Sequence, residues 1–423
     1  MDSFGAELRR LRERAGISLS QLARQVHYSK GHLSKVESGH KPPSAQLARL
    51  CDSAVGAGGS LIRLVADGVP EPSGPSGQAP SGEFDQDMWT LGVSSGGSGF
   101  FLPGQANGVP KASGMSFGVS AEPVDTDFAV EAFRARFASA RTLGQVAGPA
   151  MVLPLVIADA QTLRAVAAGA PPDNRTAVWR LAARYAEFAG WMTQEAGDDR
   201  MAMWWTDTAV KMAGLGGDHT LEAYALVRRA EIALHNDDAL TTISLAQRAQ
   251  RSEHATERVR GLAAQREAQG HALAGDHDAC LSALERAATL LASGGAEQPG
   301  LTLGTTNTPD LGTLVGGWCL YDLGRPGEAA EILDRGILRF APGAHRAKAR
   351  FLTRAALAYG SAGELDRACG LMAEALDGIR VLDSATIRRD LKDLVRVLAR
   401  WRSHPEAREL RGRLLAALRT PEP

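Results

Sequence analysis

The chain has little of the material from which most covalent frameworks and active sites are built. Aromatic residues are only 5% of its 423 residues. Its cores must therefore be assembled from Ala, Leu and Val, a composition that favours helices over sheets. Four cysteines, Cys51, Cys280, Cys319 and Cys369, show no C-x-x-C spacing. Neither a disulfide framework nor a cysteine zinc site is expected, and a reducing cytoplasm fits. Charge of one sign is also missing: 47 Lys+Arg stand against 48 Asp+Glu, a net of -1, which excludes a uniformly basic nucleic-acid coat but leaves room for a local basic patch. Lysine supplies only seven of the basic residues, and that Arg excess, with abundant Ala and Gly, reflects GC-rich coding DNA rather than function. No apolar run follows Arg9, Arg10, Arg12 and Arg14, so a signal peptide is not expected. The most apolar stretch, Met151 to Ala158, is too short to span a bilayer and contains Pro154, so no membrane partner is expected.

Catalytic signatures are absent as well. There is no P-loop, H-E-x-x-H, G-x-S-x-G or D-x-D-x-D-G segment, so neither an enzyme nor a cofactor is expected. The best metal-donor cluster is His271, Asp276, His277 and Cys280. Its place on a predicted turn accounts for it without a metal.

Composition divides the chain in three. Residues 1–67 are charged and periodic, with ten Lys/Arg against six Asp/Glu, a net of +4 that leaves 37 against 42, or -5, for the rest. Residues 68–123 are roughly half Gly, Pro and Ser, a mixture that buries too little apolar surface to offset ordering entropy. They read as a flexible, largely disordered linker in which Phe84, Met88, Trp89, Leu91, Phe100, Phe101 and Leu102 form small apolar clusters. Residues 124–423 are rich in Ala, Leu and Arg and are cut at intervals by Gly-Asp, Gly-Arg or Gly-Glu turns, the pattern of stacked antiparallel helices.

In the basic head, Phe4, Leu8, Leu11 and Ala15 recur at helical spacing and Gly16 stops that helix. Ser18-Leu19-Ser20-Gln21 reads as a capping box opening a second helix, Ser29 caps a third, and Lys41-Pro42-Pro43-Ser44 turns into a fourth. The segments Ile17 to Ala23, Ser29 to Gly39 and Pro42-Pro43-Ser44 together resemble the Cro/C1-type (Xre-like) helix-turn-helix domain over about residues 4 to 64. That resemblance implies a five-helix head binding double-stranded DNA with its third helix in the major groove. It assigns Lys30, Gly31 and Lys35 to base-facing positions, and Gln21, Ser29, His32, Ser38, His40 and Lys41 to flanking positions within reach of phosphate. Lys30 and Lys35 lie about 140° apart round a helix, so both can flank one groove face, and lysine donates to guanine O6 and N7. Gly31 departs from the family habit of a reading side chain, so DNA shape should carry part of the specificity. Glu37, an acid near phosphates, is expected to support the fold.

The body contains a repeat. Gly197, Gly275, Gly324 and Gly363 sit at predicted turns, with small residues five positions later at Ala202, Cys280, Ala329 and Ala368. Further small residues follow at Ala209, Ala287, Gly336 and Ala375, and precede the turns at Gly190, Ala268, Gly317 and Ala356. A looser copy turns at Asn236-Asp237. Small residues at these offsets let antiparallel helices approach closely, and the pattern resembles the tetratricopeptide repeat. Turn-to-turn intervals near 40 residues exceed the usual 34 or so. The resemblance implies an all-α protein whose C-terminal α-solenoid has four to six helix pairs, Ala132 to Ala168 leading and Ala385 to Leu418 as cap. Such stacks have a concave face, and Arg180, Arg184, Trp191, Trp205, Tyr224, Arg228, Arg266, Trp318 and Tyr321 are the candidates to line it for an acidic peptide, small-molecule or protein effector.

Phrases such as Leu181 to Glu187, Glu195 to Arg200 and Gly261 to Gln265 are similar to those of actinobacterial regulators that join an Xre-like head to a tetratricopeptide body. This resemblance implies control of development or secondary metabolism. The sequence thus points to a cytoplasmic, sequence-specific transcriptional regulator, acting as a homodimer because two heads add their contacts. The alternative is a protein-interaction adaptor in which DNA binding is secondary.

Overall fold

The computed structural model describes residues 3–66, 90–94, 97–101, 125–293, 302–305, 308 and 310–419. In the head, serine starts each of the first four helices by accepting a backbone N–H three residues on, the interaction that satisfies a helix's unpaired donors. Ser3 caps α1 (Phe4–Arg14), Ser18 caps α2 (Leu19–Gln25), Ser29 caps α3 (Lys30–Glu37) and Ser44 caps α4 (Ala45–Val55). The capping box is complete, with Gln21 Oε1 accepting from Ser18 N at 2.8 Å. α5 (Ser60–Ala66) closes the head over a core of Leu8, Leu22, Leu33, Leu47 and Leu61, all fully buried. Ala15 lies outside this core, exposed as the C-cap of α1, and Arg12 takes the buried position instead.

In the region read as linker, the described residues form an antiparallel hairpin, β1 (Thr90–Ser94) and β2 (Gly97–Phe101), in which Thr90 faces Phe101 and Ser94 faces Gly97. The sequence reading had no strand here. Phe84, Met88, Trp89 and Leu102 lie outside the described residues.

The body is a run of antiparallel helix pairs. In order they are α6 (Thr126–Val146) with α7 (Pro149–Gly169), α8 (Pro172–Ala196) with α9 (Asp199–Leu215), α10 (Thr220–His235) with α11 (Ala239–Arg251), and α12 (Glu257–Ala274) with α13 (His277–Ser293). They continue as α14 (Leu311–Asp322) with α15 (Pro326–Ile337), α16 (His345–Ala362) with α17 (Leu365–Leu382), and α18 (Ala385–Leu398) with α19 (Pro405–Leu418). The described residues thus hold seven pairs, more than the sequence suggested. α7 is longer than its apolar text implied: Pro154 lies within 21 helical residues, of which an 18-residue window has a mean hydropathy of 1.4, enough in length and composition to cross a membrane. Its Val152, Val156, Ala160, Leu163 and Ala167 are nevertheless fully buried in the body's own core, as in the central helix of a globular protein.

Small residues set the helix spacing. Gly197, Gly275, Gly324 and Gly363 all adopt positive φ, between 75° and 97°, the left-handed turn that ends a helix and that glycine enters without strain. Ala202, Cys280, Ala329 and Ala368 are completely buried. A Cβ on Gly190 would stand 3.2 Å from Trp205 Cβ, and one on Gly317 would stand 3.0 Å from Ile332.

The head is seated on the body, along three of these turns. Gly275 lies under Gly59 and Ile62, Gly324 under the Arg49 carbonyl and Ser53, and Gly363 under the His27 ring. Gln46 Nε2 donates to Tyr321 Oη at 3.2 Å and to Ser361 Oγ at 2.9 Å, and Arg49 Nη1 pairs with the buried Asp322 at 3.2 Å. His27 also faces Trp401 at 5.8 Å between ring centroids, and the Arg400 guanidinium lies over the Tyr28 ring at 4.6 Å.

Burial against the body, and then the charge of Arg400, hold the His27 pKa below its ordinary value of 6.5. The docked head therefore favours neutral imidazole, so docking is strongest above the free-histidine value and weakens as pH falls through the docked one. Small-angle scattering of the whole chain is expected to give a larger radius of gyration near pH ~5.5 than near pH ~7.5. His27→Asn, which tolerates the positive φ of 52° at this position, should flatten that dependence.

Candidate nucleic-acid interface and repeat-domain cavity

The turn between α2 and α3 presents the third helix at the surface. Lys30, Gly31 and Lys35 are exposed along α3, while Leu33 and Val36 face the core. The flanking side chains gather at its two ends. Ser29 Oγ accepts from His32 N at 3.2 Å, Lys41 Nζ lies 3.4 Å from His32 Nδ1, and Ser38 Oγ lies 2.8 Å from His40 Nδ1. Gln21 gives its carbonyl oxygen to the α2 cap and keeps its amide N–H groups for another acceptor. Burial first, then Lys41, Arg400 and Lys35, lower the His32 pKa and so favour its neutral form.

Two supports of this helix were not legible as function. Glu37 accepts a bidentate pair from Arg12, at 2.6 and 3.0 Å, and Arg12 also donates to the Ile17 carbonyl. This ties α1 to the end of α3 and keeps the acid turned inward, the fold-supporting role expected of Glu37. Gly5 of α1 lies against the same helix end, where a Cβ would meet the Val36 carbonyl oxygen at 2.3 Å.

The second site is the hollow between the two large cores of the body. It encloses about 180 Å³. Arg184 of α8, Arg228 of α10 and Arg266 of α12 form one row along it, and Arg346, Arg350 and Arg354 of α16 form another. Trp191, Tyr224 and Phe351 supply apolar wall, and residues 302, 304 and 305 line the mouth, held by Arg258 through the Leu303 and Thr305 carbonyls. Five residues of the sequence-derived groove, Arg184, Trp191, Tyr224, Arg228 and Arg266, come together here.

The other four lie elsewhere, each for a packing reason. Arg180 donates to the Gly216 carbonyl at 2.7 Å and closes the end of α9. Trp205 is 1% exposed, in the core of the first helix pairs. Trp318 stacks on Tyr321 and lies beneath Arg354, 4.2 Å from its guanidinium carbon, so it backs the cavity rather than lining it. Tyr321 takes the hydrogen bond of Gln46 at the head interface. What the sequence reading missed is the α16 row, although Arg346, Arg350 and Arg354 at four-residue spacing mark one helix face.

Charges in this hollow are strongly perturbed. Glu187 is raised by burial. Burial also opposes the charge of Glu231, yet Arg228, Arg266, His235 and Arg350 hold it ionised, well below the usual carboxylate range. Burial and the neighbouring Arg350 lower Arg354 to about 10. Arg354 pairs with Asp390 at 3.2 Å and acts electrostatically on Asp322, which burial raises to about 6 and which binds Arg49 of the head.

His271, Asp276, His277 and Cys280 do not converge on a metal position. Among the described residues the donors that do converge are His219, Glu222 and His254, all exposed.

A compact set of five helices, the first four capped by serine, with an exposed third helix is the architecture of a DNA-binding head, and residues 3–65 match the family model of the helix-turn-helix domain. No curated protein matches the chain. Among solved structures, the chain is similar to a Rap protein crystallised with competence and sporulation factor, at 14% identity and a TM-score of 0.40, covering 68% of this chain and 89% of that one.

Two glycines separate support from readout. Gly5→Ala forces a backbone shift at Val36 and is expected to destabilise the head by about 1–3 kcal/mol. Gly31 has open space where a Cβ would stand, so Gly31→Ala should instead stabilise α3 by about 0.5–1 kcal/mol. Amide hydrogen exchange of α3 in the whole chain distinguishes the two signs.

Proposed function

We propose that the chain is a sequence-specific DNA-binding transcriptional regulator of the Cro/C1 type. The carrying observation is the manner of docking: the head meets the body through α4, α5 and the turn between α2 and α3, with Arg400 on Tyr28 and Trp401 beside the start of α3, while Lys30, Gly31 and Lys35 stay exposed. The docked head is therefore competent to place α3 in a major groove. In this reading Lys30 and Lys35 contact base edges, and Gln21, Ser29, Ser38, His40 and Lys41 fix the register on phosphate. His32 is the half-buried member of that set, braced against Lys41. Two copies act on a two-fold symmetric operator, because one small head makes too few contacts for strong binding.

The repeat domain is the sensing part. Its cavity holds an effector, and Arg354, Asp322 and Arg49 connect the cavity wall to α4 of the head. A cytoplasmic location accords with four cysteines that are all buried and free. Control of development or secondary metabolism is the role that the actinobacterial resemblance adds.

Selection of bound fragments from genomic DNA, followed by binding titrations on the recovered site, tests this directly. Lys30→Ala and Lys35→Ala should each weaken specific binding by about 1–3 kcal/mol, with relaxed preference at one base position, whereas Lys41→Ala should weaken binding to all sequences alike and lower the salt dependence by about one counterion. Unchanged site selection in the Lys30→Ala/Lys35→Ala double variant would favour the adaptor reading, in which the body holds another regulator.

A further inference from the structure

The cavity's charge inventory defines what it takes. Among the described residues, seven arginines line it against three glutamates, and Asp218 and Asp390 reach two of those arginines from behind. Two positive charges remain over. Asp322, the next acid in range of Arg354, is held by Arg49 of the head.

The surplus can be located. Arg266 donates to the Gln269 amide oxygen and has no carboxylate within 4.0 Å among the described residues. Arg350 donates to His235 Nε2, and its Nε stands 4.0 Å from Asp390, too far for a hydrogen bond. Among the described residues, the Nε atoms of Arg228, Arg266 and Arg350 and the Nη1 of Arg184 are buried without an acceptor, and Arg228 is only 3% exposed. A buried guanidinium N–H left without a partner is costly, and an oxyanion placed between the two arginine rows removes that cost at several donors together.

Size and walls narrow the class further. A cavity of about 150 Å³ seats one benzene-sized molecule, so 180 Å³ takes a compact compound rather than a peptide. The rings of Phe137, Phe188, Trp191, Tyr224 and Phe351 offer it an apolar face.

The geometry points to a small dianion carrying a ring or short apolar body, a dicarboxylate or a phosphate monoester, gripped by Arg266 and Arg350 with Arg184 and Arg228 completing the oxyanion contacts. This deepens the reading of the repeat domain as a sensor and rests on it.

The probes are isophthalate and phenyl phosphate, with benzoate and benzamide as the singly charged and neutral matches, titrated calorimetrically into the full-length chain. The expected result is saturable binding of at least one dianion, one per chain, with benzoate and benzamide weaker by about tenfold or more; which dianion binds decides between carboxylate and phosphate. Arg266→Gln and Arg350→Gln should each weaken that dianion by about tenfold or more, and Arg266→Lys, which keeps the charge but not the fork, by less. The circular dichroism of all three variants should match that of the parent. Failure of both dianions to bind, equal binding of benzoate, or parental affinity in both glutamine variants would overturn the proposal. If a dianion binds and leaves the DNA titration unchanged, the ligand class stands and the sensing role falls. If neither dianion binds while DNA selection still needs Lys30 and Lys35, the regulator stands without this ligand.

Discussion

The structure depends on bare backbone at the repeat turns. Gly275, Gly324 and Gly363 take the left-handed conformation that ends one helix and starts the next. The same three positions carry the head. A Cβ at Gly324 would stand 2.3 Å from the Arg49 carbonyl oxygen, and one at Gly275 would stand 2.7 Å from Gly59 Cα. One residue type therefore serves intrahelical geometry, stacking of helix pairs and domain docking. A head bound by long side chains alone would be a tethered module; a head whose backbone meets two of these turns and whose His27 ring meets the third is oriented by the solenoid.

That orientation gives the cavity a route to the DNA-binding surface. Arg354 belongs to the wall of the hollow, Asp322 lies between it and the head, and Arg49 is on α4. A buried acid paired with one arginine and within electrostatic range of another is sensitive to a new negative charge beside the second, because interactions at low dielectric are weakly screened. An anion that draws Arg354 towards the cavity leaves Asp322 more fully to Arg49. On the proposed reading occupancy and docking are linked, and reciprocity requires docking to change the affinity for the anion by the same factor. The hairpin segment and the surrounding Gly/Pro/Ser-rich residues join head and body covalently, while docking sets their geometry.

Much of the fold was legible because its signals are local. The Ser18/Gln21 box, the Ser29 cap and the turn glycines each act within four residues, and each stands where the sequence placed it, whereas the Ser3 cap was not read. Ala385 to Leu418 was legible only as a cap rather than as a further repeat, because no turn glycine stands between α18 and α19. The cavity was legible by half for a related reason. Following the scarce aromatics found Trp191 and Tyr224 but also Trp205 and Trp318, since large rings are used to fill cores as readily as to line grooves. The α16 arginines needed tertiary knowledge, namely that this helix meets the end of α10 where Arg350 reaches His235. The docking of the head was not legible, because nothing local to Gln46, Arg49 and His27 marks a partner and their contacts lie hundreds of residues away in the turns of the body.

The central claim is that the docked head is the DNA-binding form. Gln46 and Ser361 now share a hydrogen bond of 2.9 Å across the domain interface. A disulfide formed between Gln46→Cys and Ser361→Cys would fix the head in its seat, with reduction restoring the free equilibrium in the same sample. If docking presents α3 to the groove, the oxidised protein should bind its selected DNA site at least as tightly as the reduced protein. Loss of specific binding on oxidation, recovered on reduction, would contradict the account and make the docked head the silent form.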